Sequence, residues 1–191
     1  MALIGLKYPV VGKYNESGGT VSHTDGMVLA KAIQASISIN QYSVSLYADD
    51  GLAESEKGFQ DGTTDLNIDD LSQDAAKFIF DATEAAGGLQ GDETTKALLF
   101  KGDDDIPDVG LGFYAPRKKG GVRSYRAIFF PRVKFGYPNE TLDTKGEQLT
   151  FGTPTIQGTI QLDATGEWKR EITVADEAKA VTWLKTQAGI T

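Results

Sequence analysis

Between Ile33 and Asn40 the chain alternates without a break, Ile33, Ala35, Ile37 and Ile39 against Gln34, Ser36, Ser38 and Asn40. A period of two belongs to a strand with one buried face. Tyr42, Val44, Leu46 and Ala48 then alternate with Ser43, Ser45 and Tyr47, but in the opposite phase. Two arrangements satisfy that change: a hairpin about Asn40 and Gln41, or one strand with a bulge that shifts its phase. The segment 49–62 is polar and punctuated by glycine, so it reads as a long inter-strand loop. A short strand is expected at 65–68. Asp70 then stands as a helix N-cap with Gln73 three residues on, Leu71, Ala75, Phe78, Ile79 and Ala82 form one helical face, and Gly87-Gly88 provides the stop.

Further strands are expected at 96–101, 109–115, 125–135, 147–151 and 155–162, each rich in β-branched or aromatic residues and separated by turn residues. A last amphipathic helix is expected to start at Asp176 and run over 176–188, with Ala180, Val181, Leu184 and Ala188 on one face and Gly189 at its end. Trp183 flanks that face. The fold class that follows is mainly β with flanking helices, an α+β chain whose strands suit a β-sandwich or a barrel-like domain. At 191 residues it is expected as a single domain, 1–191, with residues 1–14 as an N-terminal arm.

Charge changes this picture most. The net charge is −8, and it is uneven: 49–108 holds seventeen acidic and four basic residues, whereas 117–134 holds seven basic and no acidic ones. A generic nucleic-acid binder needs the opposite balance, and such polarity suits either head-to-tail contacts between copies or two solvated faces of an ordinary monomer. There is no cysteine, which excludes disulfides, thiolate metal sites and cysteine nucleophiles. The N-terminal residues lack the blocks of a signal peptide, so synthesis and retention in the cytosol are expected.

The search for chemistry finds no catalytic set, and no enzyme activity is expected. His23 is the only histidine; Ser22 and Asp25 are its neighbours in sequence, and a triad is instead assembled by the fold. Gly110-x-Gly112-x-x-Ala115 has the outline of a dinucleotide fingerprint, but Pro116 and a basic turn follow where a helix should start. Asp103, Asp104, Asp105 and Asp108 invite a calcium reading, against which Pro107 and Tyr114 occupy the fifth and twelfth loop positions. No cofactor, metal or nucleotide is expected. Asp49-Asp50 and Asp69-Asp70 have local explanations as a turn and a cap. Arg123, Tyr125, Ala127 and Phe129 against Ser124, Arg126, Ile128 and Phe130 suit a two-faced strand better than a single-strand-binding groove.

Several segments, in order along nearly the whole chain, carry a resemblance. They are Gly5-Leu6-Lys7-Tyr8, Leu46-Tyr47-Ala48-Asp49-Asp50, Gly112-Phe113-Tyr114 and Tyr125-Arg126-Ala127. Thr144-Lys145-Gly146-Glu147, the run Phe151-Gly152-Thr153-Pro154-Thr155-Ile156-Gln157-Gly158, and Gly166-Glu167-Trp168 complete the set. The chain resembles the major tail proteins of non-contractile, long-tailed phages of Gram-positive bacteria. That resemblance implies a structural subunit of the virion tail, made in the host cytoplasm. It assembles into hexameric rings that close an inner β-barrel and stack into a tube for DNA ejection. Implied partners are further copies of itself and the tape-measure, tail terminator and tail-tip proteins, with DNA passing through unbound. Within that frame, the acidic segment Asp49, Asp50, Leu52, Glu54, Glu56 and Phe59 is expected to meet Arg117, Lys118 and Lys119 of the next ring. An injection-tube protein of a secretion or contractile system, and a monomeric calcium- or carbohydrate-binding β-sandwich, are the alternatives.

Overall fold

The structure, a computed structural model, describes residues 2–48, 51–90, 92, 94–139 and 153–191. It is mainly β with two helices, and its sheets are antiparallel. The principal sheet contains β1 (Ala2–Leu3), β2 (Lys7–Ser17), β3 (Thr20–Val28), β4 (Ala32–Ala48), β5 (Gly51–Ile68), β8 (Asp108–Lys119), β9 (Val122–Phe135), β10 (Thr155–Ile160) and β11 (Arg170–Val174). A small hairpin of β6 (Thr83–Ala86) and β7 (Lys96–Leu99) stands beside α1 (Gln73–Phe80), and α2 (Glu177–Ala188) closes the chain. The strand order is β3-β2-β8-β9-β10-β5-β4, with β1 on β8 and β11 on β9.

The two faces of the sheet bury different things. Val11, Leu66, Val109, Leu111, Phe130, Val133, Phe135, Ile156 and Ile160 share one core with Ala75, Ile79 and Phe80 of α1. On the other face Val10, Tyr114, Ala127 and Phe129 meet Ala180, Leu184 and Ala188 of α2. Period two in β8 and β9 explains the division, since Phe129 and Phe130 are adjacent in sequence yet belong to opposite faces. The expected two-faced strand is present.

The glycines of β8 find their reason here. A Cβ on Gly112 would lie 2.7 Å from Phe129 and 2.8 Å from Leu184, and one on Gly12 or Gly26 would overlap the carbonyl oxygen of Ala188. Gly112 is therefore part of a shallow bed for α2, and Gly110 makes room for Phe129 and His23, so the Gly-x-Gly at 110–112 is no phosphate-binding turn. The helix starts one residue after Asp176, which caps it by accepting from the Ala178 N–H at 2.9 Å, and it ends as expected at Gly189, left-handed with φ 68°.

Four expectations need correction. Of the segment expected as a loop at 49–62, residues 51–62 are strand, the first part of β5, paired with β4 from Ala48↔Gly51 to Ile39↔Gly62. Its glycines and charges hid the strand. Gly58 sits beneath the ring of Tyr42, which fills the space a side chain would take. Residues 7–14 are not an arm but the larger part of β2, and Ala2 and Leu3 pair with Lys118 and Arg117. The first helix is capped by Ser72, not Asp70, through a 3.2 Å bond from the Ala75 N–H to Ser72 Oγ. It ends at the left-handed Asp81, well before Gly87, because 83–86 pairs with 96–99. The strand expected at 147–151 lies outside the described residues.

The phase change in β4 resolves as one continuous strand. Asn40 pairs with Asp61 and Gln41 with Phe59, so Gln60 is an extra residue in β5 and the ribbon steps in register there.

Candidate functional site

Where β10, β5 and β4 run side by side, at 155–159, 63–67 and 34–40, they present an outward surface of polar side chains, which Tyr42 and Val44 continue along β4 with apolar ones. Cross-strand register puts Thr155, Gln157 and Thr159 beside Asn67, Asp65 and Thr63, and these beside Gln34, Ser36 and Ser38, with Asp61 beside Asn40. The inward neighbours Gly62, Thr64, Leu66, Ile68, Ile156, Gly158 and Ile160 are buried. Hydrogen bonds tie the outward rows together: Asn40 Nδ2 donates to Asp61 Oδ1 at 2.6 Å, Gln157 Nε2 to Asp65 Oδ1 at 2.9 Å, and Asn67 Nδ2 to Thr155 Oγ1 at 2.9 Å. The surface is smooth, hydrophilic and slightly acidic.

This surface ends at an open edge. β4 is the last strand of the sheet, and among the described residues no strand pairs with its outer side. Ile33, Ile37, Tyr42 and Val44 of β4 are exposed, with Val44 at 62%. An edge strand 17 residues long is an invitation to pair with another chain unless something covers it.

Beyond Gly62, β5 leaves β10 and continues with β4 alone as a two-stranded ribbon. Every described side chain at 40–45 and 54–57 is exposed. Glu56 pairs with Val44, so the acidic group and the apolar one share a ribbon face. Phe59 stacks flat on Trp168, with centroids 4.7 Å apart and planes at 7°. Phe59 therefore anchors the ribbon to its own subunit and is not a free apolar anchor for a neighbour. Asp49 and Asp50, and the side chain of Leu52, lie outside the described residues.

Arg117, Lys118 and Lys119 end β8, and the turn Gly120-Gly121, with φ of 56° and 84°, returns the chain into β9. Two left-handed residues make the hairpin turn that matches strand twist, and glycine adopts it without steric cost. Arg117 Nη1 donates to Thr173 Oγ1 at 3.4 Å, whereas Lys118, Lys119 and Arg123 are exposed around Val122, which is 71% exposed.

His23 is held inside β3, edge-on to Phe129 at 5.0 Å, with Nε2 2.7 Å from the Pro131 carbonyl oxygen. Burial lowers its pKa, against the opposing effect of that hydrogen bond. Ser22 is the next residue along the strand and takes the opposite face, and Asp25 is left-handed with φ 53°. In the window just below pH 6.5 the unfolded chain takes up a proton at His23 that the folded chain resists. Stability should therefore fall as pH drops through that window. The difference in unfolding free energy between wild type and His23→Phe, measured from pH 8 to pH 5, is expected to change with pH; a constant difference would remove His23 as the cause.

A second set of ionisable groups acts lower on the pH scale. Hydrogen bonds from Arg126 and Lys169 hold Glu171 down to about 2. Burial raises the Asp163 pKa, but donation from Thr165 and the Glu167 N–H outweighs it and the net direction is down. Asp163 thereby ties the turn at 163–167, ahead of Trp168. The Asp103–Asp105 run is spread out: Asp104 accepts from the Lys101 N–H at 2.7 Å and Asp105 faces Lys134 at 3.5 Å. Among the described residues no three carboxylate or imidazole groups converge as metal ligands.

The polar surface and the open edge were only half visible beforehand. Alternation marked β4, but β5 was concealed by its glycines, and the matching periodicity at Thr63, Asp65 and Asn67 was the available signal. No protein-family description matches the chain, and no curated protein matches it.

Proposed function

We propose that the chain is a tail-tube subunit that assembles into rings and stacks them into a conduit for DNA, rather than an enzyme. The observation that carries this reading is the open β4 edge adjoining the polar surface where β10, β5 and β4 run side by side. Pairing of that edge with the sheet of a neighbouring copy removes an aggregation hazard and repeats the polar surface around a ring. A sixfold ring closing an inner barrel is the form that the family resemblance implies. Amide, hydroxyl and carboxylate groups facing inward suit a channel that must not hold its cargo, because phosphate binding requires cationic contacts.

The lysine-rich end of β8 and β9 belongs away from the channel, at contacts between rings. Assembly partners would be further copies and the proteins that set tail length and close its ends. The place of action would be the virion tail.

Negative-stain microscopy of the purified protein over a range of concentration and salt tests the reading. Rings or tubes with a central channel are expected, together with no retention of duplex DNA at physiological salt. Asp61→Lys/Asp65→Lys tubes should retain DNA, and lose it again as salt is raised. A particle of one-subunit mass under every condition would sink the proposal.

A further inference from the structure

β4 is an edge strand without the usual guards. Its 17 residues, Ala32–Ala48, include no charged residue, no proline and no glycine. Charges and proline are among the devices that keep an exposed edge from pairing with another chain. Register with β5 is unbroken from Gln34↔Asn67 to Asn40↔Asp61, so β4 is a regular strand there, and among the described residues no strand pairs with its outer side.

Beside this stretch lies a cleft of about 340 Å³, walled by Ile37 and Ile39 of β4, Phe113 of β8, Ile128 of β9, and Trp168. Ile37 is 37% exposed, so the cleft opens to water next to the edge. The charged residues that line it, Arg126 and Lys169, are both held by Glu171. A strand added to β4 would lie along this opening and turn alternate side chains towards it, and with both cations engaged the cleft suits an uncharged strand.

The strand that fits is β4 of a second copy. Ala35, Ile37 and Ile39 take the inner face, and Gln34, Ser36, Ser38 and Asn40 the outer one. In an antiparallel pair, residues directly opposite each other share a face. With Ile37 opposite Ile37 of the partner, Ala35 stands opposite Ile39, Ser36 opposite Ser38, and Gln34 opposite Asn40. Apolar then meets apolar inside, polar meets polar outside, and no like charges oppose each other. Because the strands run in opposite directions, the two ribbons leave at opposite ends, which keeps Glu54 and Glu56 of the two copies apart. The far edge of the sheet is a poorer partner, since β3 carries the left-handed Asp25 and its Gly26 N–H already donates to the Gly189 carbonyl oxygen at 3.3 Å.

We propose that free copies of the protein pair through residues 34–40 of β4 as an antiparallel, two-fold dimer centred on Ile37. Each copy covers the cleft of the other. A two-fold contact is closed and cannot propagate, so the dimer withholds the edge from which rings would grow. The dimer stands apart from the tube reading, and only its role as a reserve of unassembled subunits rests on that reading.

Ser36 and Ser38 are exposed, so charges placed there leave the core alone. At concentrations below ring formation the wild type is expected to sediment as a dimer, and Ser36→Lys/Ser38→Lys protein and Ser36→Asp/Ser38→Asp protein each as a monomer. An equimolar mixture of the two variants should give dimers again, because each lysine then opposes an aspartate. The absence of cysteine allows a second test. Ile37→Cys protein should form a disulfide dimer on oxidation, since opposed residues in an antiparallel pair have Cα atoms about 4.5–5.5 Å apart, within disulfide reach. Gln34→Cys protein should not, because its two cysteines would stand about 20 Å apart at about 3.3 Å per residue. A wild type that is monomeric at every concentration short of rings, a variant mixture that stays monomeric, or Gln34→Cys protein that crosslinks as fast as Ile37→Cys protein would overturn the dimer and leave the tube reading standing. A wild type that stays dimeric at every concentration and never forms rings would support the dimer and sink the tube reading.

Discussion

Ile33→Lys/Val44→Lys protein is expected to fold as the wild type does and to form no rings. Both side chains are exposed on β4, at 54% and 62%, so neither substitution removes core packing and the stability change should stay within about 0.5 kcal/mol. The effect on assembly should be large. Pairing another strand onto β4 would bury or crowd the new ammonium groups, and an edge lysine is a common means of preventing such pairing. An assembly penalty of about 3 kcal/mol lowers association roughly a hundredfold at each contact, because about 1.4 kcal/mol is a factor of ten. Sedimentation velocity reads ring and monomer directly, with circular dichroism as the control for folding. Rings at wild-type concentration from the double variant would remove β4 from the subunit interface.

The largest expected loss of fold stability comes from the seat of α2. Leu184 is fully buried against Gly112 and Phe129, so Leu184→Ala should cost about 2–5 kcal/mol through lost transfer energy and the cavity left behind. Gly12→Ala attacks the same seat from the sheet side. Its methyl would overlap the Ala188 carbonyl oxygen, which belongs to a helix end and cannot rotate away. Overpacking of this kind costs about 1–3 kcal/mol, against a total domain stability of about 5–15 kcal/mol. Denaturant unfolding measures both. Gly12→Ala protein as stable as the wild type would show that α2 does not bear on the sheet there.

These two variants separate functions that the sheet combines. One face carries small residues that admit a helix, and the free edge carries apolar residues exposed to water. A fold serving only its own stability has no use for the second feature.

Sequence alone determined the elements whose signals are local. Alternation at 33–39 and 123–130 marked strands, and a helical face with Gly189 marked α2 and its end, because side-chain period and helix stops involve only near neighbours. The burial expected for the first face was not local, since Ile33 and Ile37 lie exposed on the edge strand. The tertiary structure alone decided what depends on distant partners. Residues 51–62 became strand because β4 lay alongside to accept their hydrogen bonds and Tyr42 covered Gly58. The first helix stopped at Phe80 because 96–99 offered pairing to 83–86. Phe59 turned inward because Trp168, more than a hundred residues later, offers a flat ring to stack on. The open edge was illegible for the same reason: whether an apolar side chain is covered depends on the whole chain, and no local pattern records it.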